Sequence, residues 1–499
     1  MAHVGTGHRR FRLLRRITRI VLRVFFWLAA LFGVVVFLAF MLLVRFGSSQ
    51  KADPEVVRRL REAASSGQIA YHLTEPNELI RLLGRPTGQS RAAGREMEKT
   101  QLRWPGVSAD FMRVNDRLAV PTLRWIRLGG IDFSIGDYHD NVGATGIDIG
   151  IRRPIALRDG KDLRKLDMFI GLQGLSLTKL DLRDYQEALL KLPFDNRTRW
   201  PAKDKLPEGF DPNALLEGGK NPGLGVRALH AEGIDGRGVG IAIIDQPLLE
   251  DHVEYAGQVV RYEKLGIAGK LASPQMHGPA VASIAVGKTC GVAPRASLHF
   301  FVFMSLSMPG NKAYSGIVDK ILRLNERLPA SEKIRVISIS YGMFSHLPRY
   351  EQWARIVERA KQHGVLVVTC DAAFLNYGTL ARLPGTNPDD PANYQRGRFS
   401  TSRDDLYIPA GHRTIASEKG SSVYKYDPTG GMSWCAPYLA GLAAMAFQLD
   451  PDIDPDLIVK LFVSTSTETK VGHIINPPGF IEAVKKQAKA KPQRSAGQR

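Results

Sequence analysis

An aspartate, a histidine and a serine follow one another along this chain at Asp245, His277 and Ser433, each where a strand ends or a helix begins. The run "GVGIAIID" closes on Asp245, "MHGPAVAS" opens a small-residue helix at His277, and "GGMSWCAPYLAG" sets Ser433 at the mouth of an apolar helix. A hydroxyl in that position can be a plain N-cap. It becomes a nucleophile when an imidazole takes its proton and a carboxylate holds the imidazole in one tautomer and stabilises its cation. Asp, His and Ser are the three types that acyl-transfer chemistry of this kind requires, and helix starts direct His277 and Ser433 into a cleft instead of the core.

The elements that must position them are legible after about residue 221. Apolar, β-rich runs at "GVGIAIID", "SLHFFVF", "IRVISIS" and "GVLVVTC" alternate with helical stretches at "GPAVASIAVG", "SGIVDKILRLNERL" and "QWARIVERAKQHG". That alternation predicts an α/β domain, a mostly parallel sheet between helices. In such sheets, functional groups gather at the carboxyl ends of the strands, where Asp245 stands.

Residues 51–220 predict a smaller α+β region. "EVVRRLREAASSG" and "PNELIRLLG" have helical periodicity, while "LGGIDFSIG" and "TGIDIGIRR" alternate as strands do. The leucines of "LQGLSLTKLDLRDYQEALLKL" recur as in a repeat, but only once, so the segment reads as an ordinary amphipathic stretch. "FDNRTRWPAKDKLPEGFDPN" reads as a connector that ends near residue 220, and its "NRT" as a chance sequon.

The net charge of +19 belongs mainly to the tails: eight arginines precede residue 51, and six lysines or arginines follow residue 484, with no acidic residue in either segment. The body carries only a mild excess, which excludes a nucleic-acid role. Residues 24–44, "VFFWLAALFGVVVFLAFMLLV", are 21 residues without a charge, long enough to span a bilayer as a helix. Seven arginines stand before them, so the positive-inside rule predicts a single-pass membrane anchor behind a basic tail at 1–23, with the N-terminus cytoplasmic and the later domain extracytoplasmic. No A-x-A-like site suggests a cleaved signal peptide. Cys290, Cys370 and Cys435 are too few for a disulfide framework and read as buried free thiols.

Taken together, "GVGIAIIDQPLLEDH", "HGPAVASIAVG", "GVAPRASLHFF", "VISISYG", "GGMSWCAPYLAGLAAMA" and "GHIINPPGFIEAV" resemble the subtilisin-like serine peptidases, whose chain order is Asp, His, Ser. The likeness covers roughly residues 221–485, with a basic tail at 486–499. It implies a subtilisin-like fold and a membrane-anchored serine endopeptidase that cleaves peptide or protein substrates through Asp245, His277 and Ser433. It also implies a substrate-binding strand at Ser340, Tyr341 and Gly342, and matches His252 to a histidine that often follows the family's aspartate. Two departures stand out. Ala280 occupies the position of the family's second histidine, and Ala373 that of its oxyanion asparagine, leaving Asn376 as the oxyanion candidate, since the carboxylate of Asp371 cannot donate. These departures favour the alternative, a catalytically silent binding or scaffold protein at the membrane. Calcium is common in the family, but no carboxylate cluster here has ligand spacing, so neither a metal nor another cofactor is expected. Residues 51–220 have no counterpart in the resemblance and are expected to be a regulatory or propeptide-like region.

Overall fold

The computed structural model describes residues 53–65, 75–93, 97–105, 107–114, 122–128, 131–134, 157–166, 171–266, 273–303, 311–345, 348–401 and 404–490. The apolar segment 24–44, the strand expected in "TGIDIGIRR" and the basic tails lie outside these residues, apart from the helical end of the last. Among the described residues, no helix is long and apolar enough to cross a membrane. The chain divides into two compact units, one formed by residues up to 115 with 121–153, the other by 116–120 with 154–499.

In the first unit, α1 (Pro54–Ser65) and α2 (Pro76–Leu83) precede a five-stranded antiparallel meander of β1 (Gly88–Ala93), β2 (Met97–Trp104), β3 (Val107–Val114), β4 (Thr122–Leu128) and β5 (Ile131–Ser134). Both helices and the fifth strand were expected; the first four strands were not. Glu75 and Glu78 form a capping box at the start of α2. Leu60 and Leu79 from the helices bury with Leu102, Trp104 and Phe111 from the strands in a core of their own.

The second unit opens with leucines at a period of five, which the reading as an amphipathic segment did not anticipate. Leu172, Leu177 and Leu182 are buried, and their N–H groups donate to the carbonyls of Pro193, Arg199 and Lys205 at 2.7, 2.7 and 2.8 Å. The backbone runs in successive turns, with only a short helix, α3 (Gln186–Lys191), at its end. Nor does packing break at residue 220. β6 (Phe194–Asp195) joins a three-stranded sheet whose other members come more than two hundred residues later, and α4 (Pro212–Gly219) takes a bond from the Thr414 hydroxyl to the Leu216 carbonyl. The Pro- and Lys-rich stretch is therefore built into the unit.

The main sheet has the order β11-β10-β7-β9-β8, with β7 (Gly240–Asp245), β8 (Val259–Lys264), β9 (Ser297–Val302), β10 (Ile334–Ser338) and β11 (Leu366–Val368) all paired in parallel. Ile241 and Ile243 of β7 enter one core, while Ala242 and Ile244 enter another, so the period of two is buried on both faces. The sheet follows α5 (Val226–Ala231); one face packs on α6 (His277–Val286) and α9 (Met432–Leu449), the other on α7 (Asn311–Arg327) and α8 (Tyr350–Gln362). α6 and α9 are apolar around nearly their whole circumference, as central helices must be. A second sheet contains β12 (Tyr377–Arg382), β13 (Tyr394–Arg396) antiparallel to it and β14 (Leu406–Gly411) parallel to it, and β15 (Arg413–Ala416) pairs with β16 (Tyr424–Asp427) in the three-stranded sheet.

Candidate active site

β7 ends on Asp245, and α6 begins at His277 directly beyond it. Their approach depends on Gly278, where a Cβ would lie 2.2 Å from the Gln246 carbonyl oxygen. The His277 Nδ1 meets Asp245 Oδ1 at 2.6 Å, and the same oxygen accepts the Gln246 N–H at 2.7 Å. Asp245 is buried and His277 about 20% exposed, so the ring reaches the surface while its partner does not. Burial disfavours the charged ring, but the Asp245 carboxylate, through its charge and its hydrogen bond, outweighs burial and raises the His277 pKa above its ordinary value of 6.5.

Ser433 lies in the first turn of α9, after an extended Gly431 and a left-handed Gly430 (φ 64°), where a Cβ would meet the Ala410 backbone at 2.4 Å. Pro437, inside that helix, has no N–H to offer the Ser433 carbonyl four residues earlier. The Ser340 hydroxyl supplies the missing donor, at 2.8 Å. The Ser433 hydroxyl in turn donates to the Ser340 carbonyl at 3.5 Å. Asp245 and His277 are thus joined directly, Ser433 is tied to Ser340, and it is the neighbour of Ser433, Trp434, whose ring meets the histidine. The Trp434 ring lies against His277, centroids 5.2 Å apart.

Ser340, Tyr341 and Gly342 continue from the carboxyl end of β10 and are not themselves part of a ladder strand. The Tyr341 carbonyl accepts from Cys370 N at 3.1 Å, and its ring stacks on Tyr314 at 5.4 Å. Asn376 stands half-buried just before β12, its carbonyl accepting from Asp405 N at 3.0 Å. Ala373 is exposed. Asp371 caps the turn between them, accepting from the N–H groups of Met343, Ala373 and Phe374. Ala280, on α6, is fully buried in the main core, leaving no polar role at that position. His252 is also a core residue: its Nε2 meets the Val423 carbonyl at 2.9 Å, and Nδ1 accepts from Glu254 N.

Asp427 is a residue that sequence reasoning missed. It is buried, accepts the Trp434 indole N–H at 3.2 Å, and accepts from Thr429 N and Gly430 N at 3.1 Å. It therefore holds both the turn before Ser433 and the ring beside His277. Its one local signal was position, a carboxylate shortly before a Gly-Gly turn. The thiols are unsuited to nucleophilic chemistry: burial pushes Cys370 up to about 12 and Cys435 well above its ordinary value. Among the described residues, no group of three His, Cys, Asp or Glu side chains could hold a metal ion.

Residues 236–395 match the profile of the subtilase family, peptidase S8, a stretch that includes Asp245 and His277 and ends before Ser433. A curated relative is the subtilisin-like protease PopC of Myxococcus xanthus (strain DK1622), 24% identical over 49% of this chain and 58% of that protein. The chain thus matches somewhat over half the length of this relative. Similar solved structures include the prenylagaramide maturation protease PagA, at 16% identity, 52% of this chain, 98% of that chain and a TM-score of 0.41. Another is a protease from Pseudoalteromonas arctica, at 19%, 55%, 98% and 0.41 in the same terms.

Proposed function

We propose that this chain, a divergent subtilase by the match of residues 236–395 to the family profile, is a membrane-anchored serine endopeptidase acting on peptide or protein substrates. The observation that carries the proposal is the 2.6 Å bond between His277 and the buried Asp245, beside the helix start that bears Ser433. In this reading, Asp245 fixes His277 with Nδ1 protonated, so that Nε2 is free to take the Ser433 proton. The hydroxyl attacks the scissile carbonyl, and His277 passes the proton to the leaving amine. Water then hydrolyses the acyl-enzyme by the same base. The early N–H groups of α9 and the Asn376 amide supply the oxyanion donors; removing one such donor costs roughly 10²–10³ in turnover. Substrate lies along Ser340, Tyr341 and Gly342 as an added strand.

The test is labelling of the full chain by a fluorophosphonate probe. Wild type labels and Ser433→Ala does not. Labelling that persists in Ser433→Ala overturns the nucleophile.

A second reading, a silent binding protein, is favoured by one observation: the Ser433 hydroxyl donates to the Ser340 carbonyl. Catalysis requires it to turn about χ1 toward His277, a staggered-well change available on the ps–ns scale. A wild type that does not label, yet binds extended peptides, supports the second reading.

A further inference from the structure

Among the described residues, two arginines of the second unit are buried with no carboxylate paired to them. Arg413 is fully buried and Arg382 is 4% exposed. Arginines are almost never so buried unless paired, because an uncompensated charge away from water is costly. Arg382 donates Nη1 to the Gly218 carbonyl at 3.2 Å, and Nη2 to those of Asn221 and Pro222 at 2.5 and 3.2 Å, while its Nε has no partner. Arg413 donates only Nη2, to the Cys290 carbonyl at 3.2 Å; its Nε and Nη1 have none. The hydroxyl of Tyr438, a buried residue of α9, is also without a partner, and its ring centroid lies 5.9 Å from the Arg413 guanidinium carbon.

The ladder brings the two arginine-bearing segments side by side, and the charge of Arg382 is felt at Arg413. β12 and β14 run in parallel with Ala381 opposite Gly411, so Arg382 follows on one strand as His412 and Arg413 follow on the other. Nearby acidic groups are committed elsewhere. Asp427 faces Arg413 across the β15–β16 ladder, but its oxygens serve Thr429, Gly430 and Trp434, and its charge is matched by the buried Lys425 at 3.8 Å. Asp389, on an exposed loop, accepts from Asn221 Nδ2 and Gly225 N. Burial pushes His412 down to about 4, so it adds no positive charge at neutral pH. Burial also lowers Arg413, to about 10, which leaves it charged.

We propose that a chloride ion binds between Arg413, Arg382 and the Tyr438 hydroxyl, offsetting one of the two buried guanidinium charges. The unpartnered atoms are three guanidinium nitrogens, bearing four N–H donors, and one hydroxyl. A water molecule there would need acceptors for its own protons, whereas an anion needs only donors. The depth of the site selects a small, monatomic anion over phosphate or sulfate. The site joins β12, β15 and α9 and stands independently of the proposed peptidase activity.

The test uses the full chain in detergent, dialysed into sodium gluconate, sodium chloride or sodium sulfate at equal ionic strength. Chloride is expected to raise the apparent Tm by roughly 5 °C at a hundredfold excess over its Kd, a scale set by ligand linkage. Sulfate is expected to match gluconate. Equilibrium dialysis with ³⁶Cl⁻ should find one ion per chain. Arg413→Met is expected to lose both effects; should it fail to fold, Tyr438→Phe, which removes only a hydroxyl, is expected to weaken the chloride dependence of Tm. Equal Tm in chloride and gluconate overturns the site, as does a dependence that Tyr438→Phe leaves unchanged. Stabilisation by sulfate equal to that by chloride overturns the selection by size.

Discussion

At Asp245, His277 and Ser433, the proposed mechanism makes each side chain useless without the others. Ser433→Ala, His277→Ala and Asp245→Asn are each expected to lower kcat/KM by at least about a thousandfold, and the triple variant by little more than the worst single one. Losses that multiply across the three would show that they do not act as a unit. The pH dependence follows from the Asp245 bond. His277 must be neutral to accept a proton, and its pKa is raised above 6.5, so activity should fall as pH drops through a value above 6.5. In Asp245→Asn the raising charge is gone, and the residual activity should keep its acid limb to lower pH. An acid limb that does not move refutes the pairing. The stability linkage has its own sign: because folding raises this pKa, the pair stabilises the fold fully below the unfolded histidine pKa and loses that contribution as pH rises through the folded one.

Two elements carry the geometry by unusual means. α9 contains Pro437, and the carbonyl this leaves unpaired at Ser433 is served from β10's end by Ser340. Ser340→Ala should therefore cost about 1–3 kcal/mol, the penalty of a half-buried acceptor left unmade, and lower kcat more than it raises KM, because it loosens the turn that aims Ser433. Thermal unfolding with steady-state kinetics checks both, and an unchanged Tm would show that the bond is not needed. The period-five leucine segment and α4 are likewise structural members. A fragment beginning at residue 221 lacks β6 and the Leu216 carbonyl that Thr414 holds, and is expected to be protease-sensitive and without a cooperative unfolding transition. A fragment beginning at residue 154, the start of the compact unit's main segment, should unfold cooperatively. Equal behaviour of the two fragments would return the boundary to residue 220.

For the whole molecule, the arginines before residues 24–44 predict a cytoplasmic N-terminus and a catalytic unit on the other side of the membrane. Reporter fusions after residue 50 check this; activity of a cytoplasm-restricted reporter there would reverse the orientation. A cut in the 200–222 stretch, the place where composition suggested an exposed connector, is not expected in folded protein. That stretch includes α4 and the carbonyls that hold Arg382. Intact-mass measurement on protein recovered from cells should therefore find no N-terminus near residue 220. A species beginning there in wild type and absent in Ser433→Ala would establish self-processing instead.

The sequence by itself determined the alternation of buried strands and helices, because a parallel strand covered on both faces is a continuous apolar run and an amphipathic helix keeps a period that survives without its neighbours. It also determined which residues could do chemistry, since Asp245, His277 and Ser433 each sit at an element boundary readable from local composition. Tertiary structure alone decided what those residues touch. The clash that reserves position 278 for glycine and the donation from Ser340 to a carbonyl stranded by Pro437 both join residues from different parts of the fold. The same holds for the return of β6 to β16 across some 230 residues, which places 171–220 in the second unit. Local propensity cannot encode such contacts, because each depends on the separation of backbones that meet only after the sheet has formed.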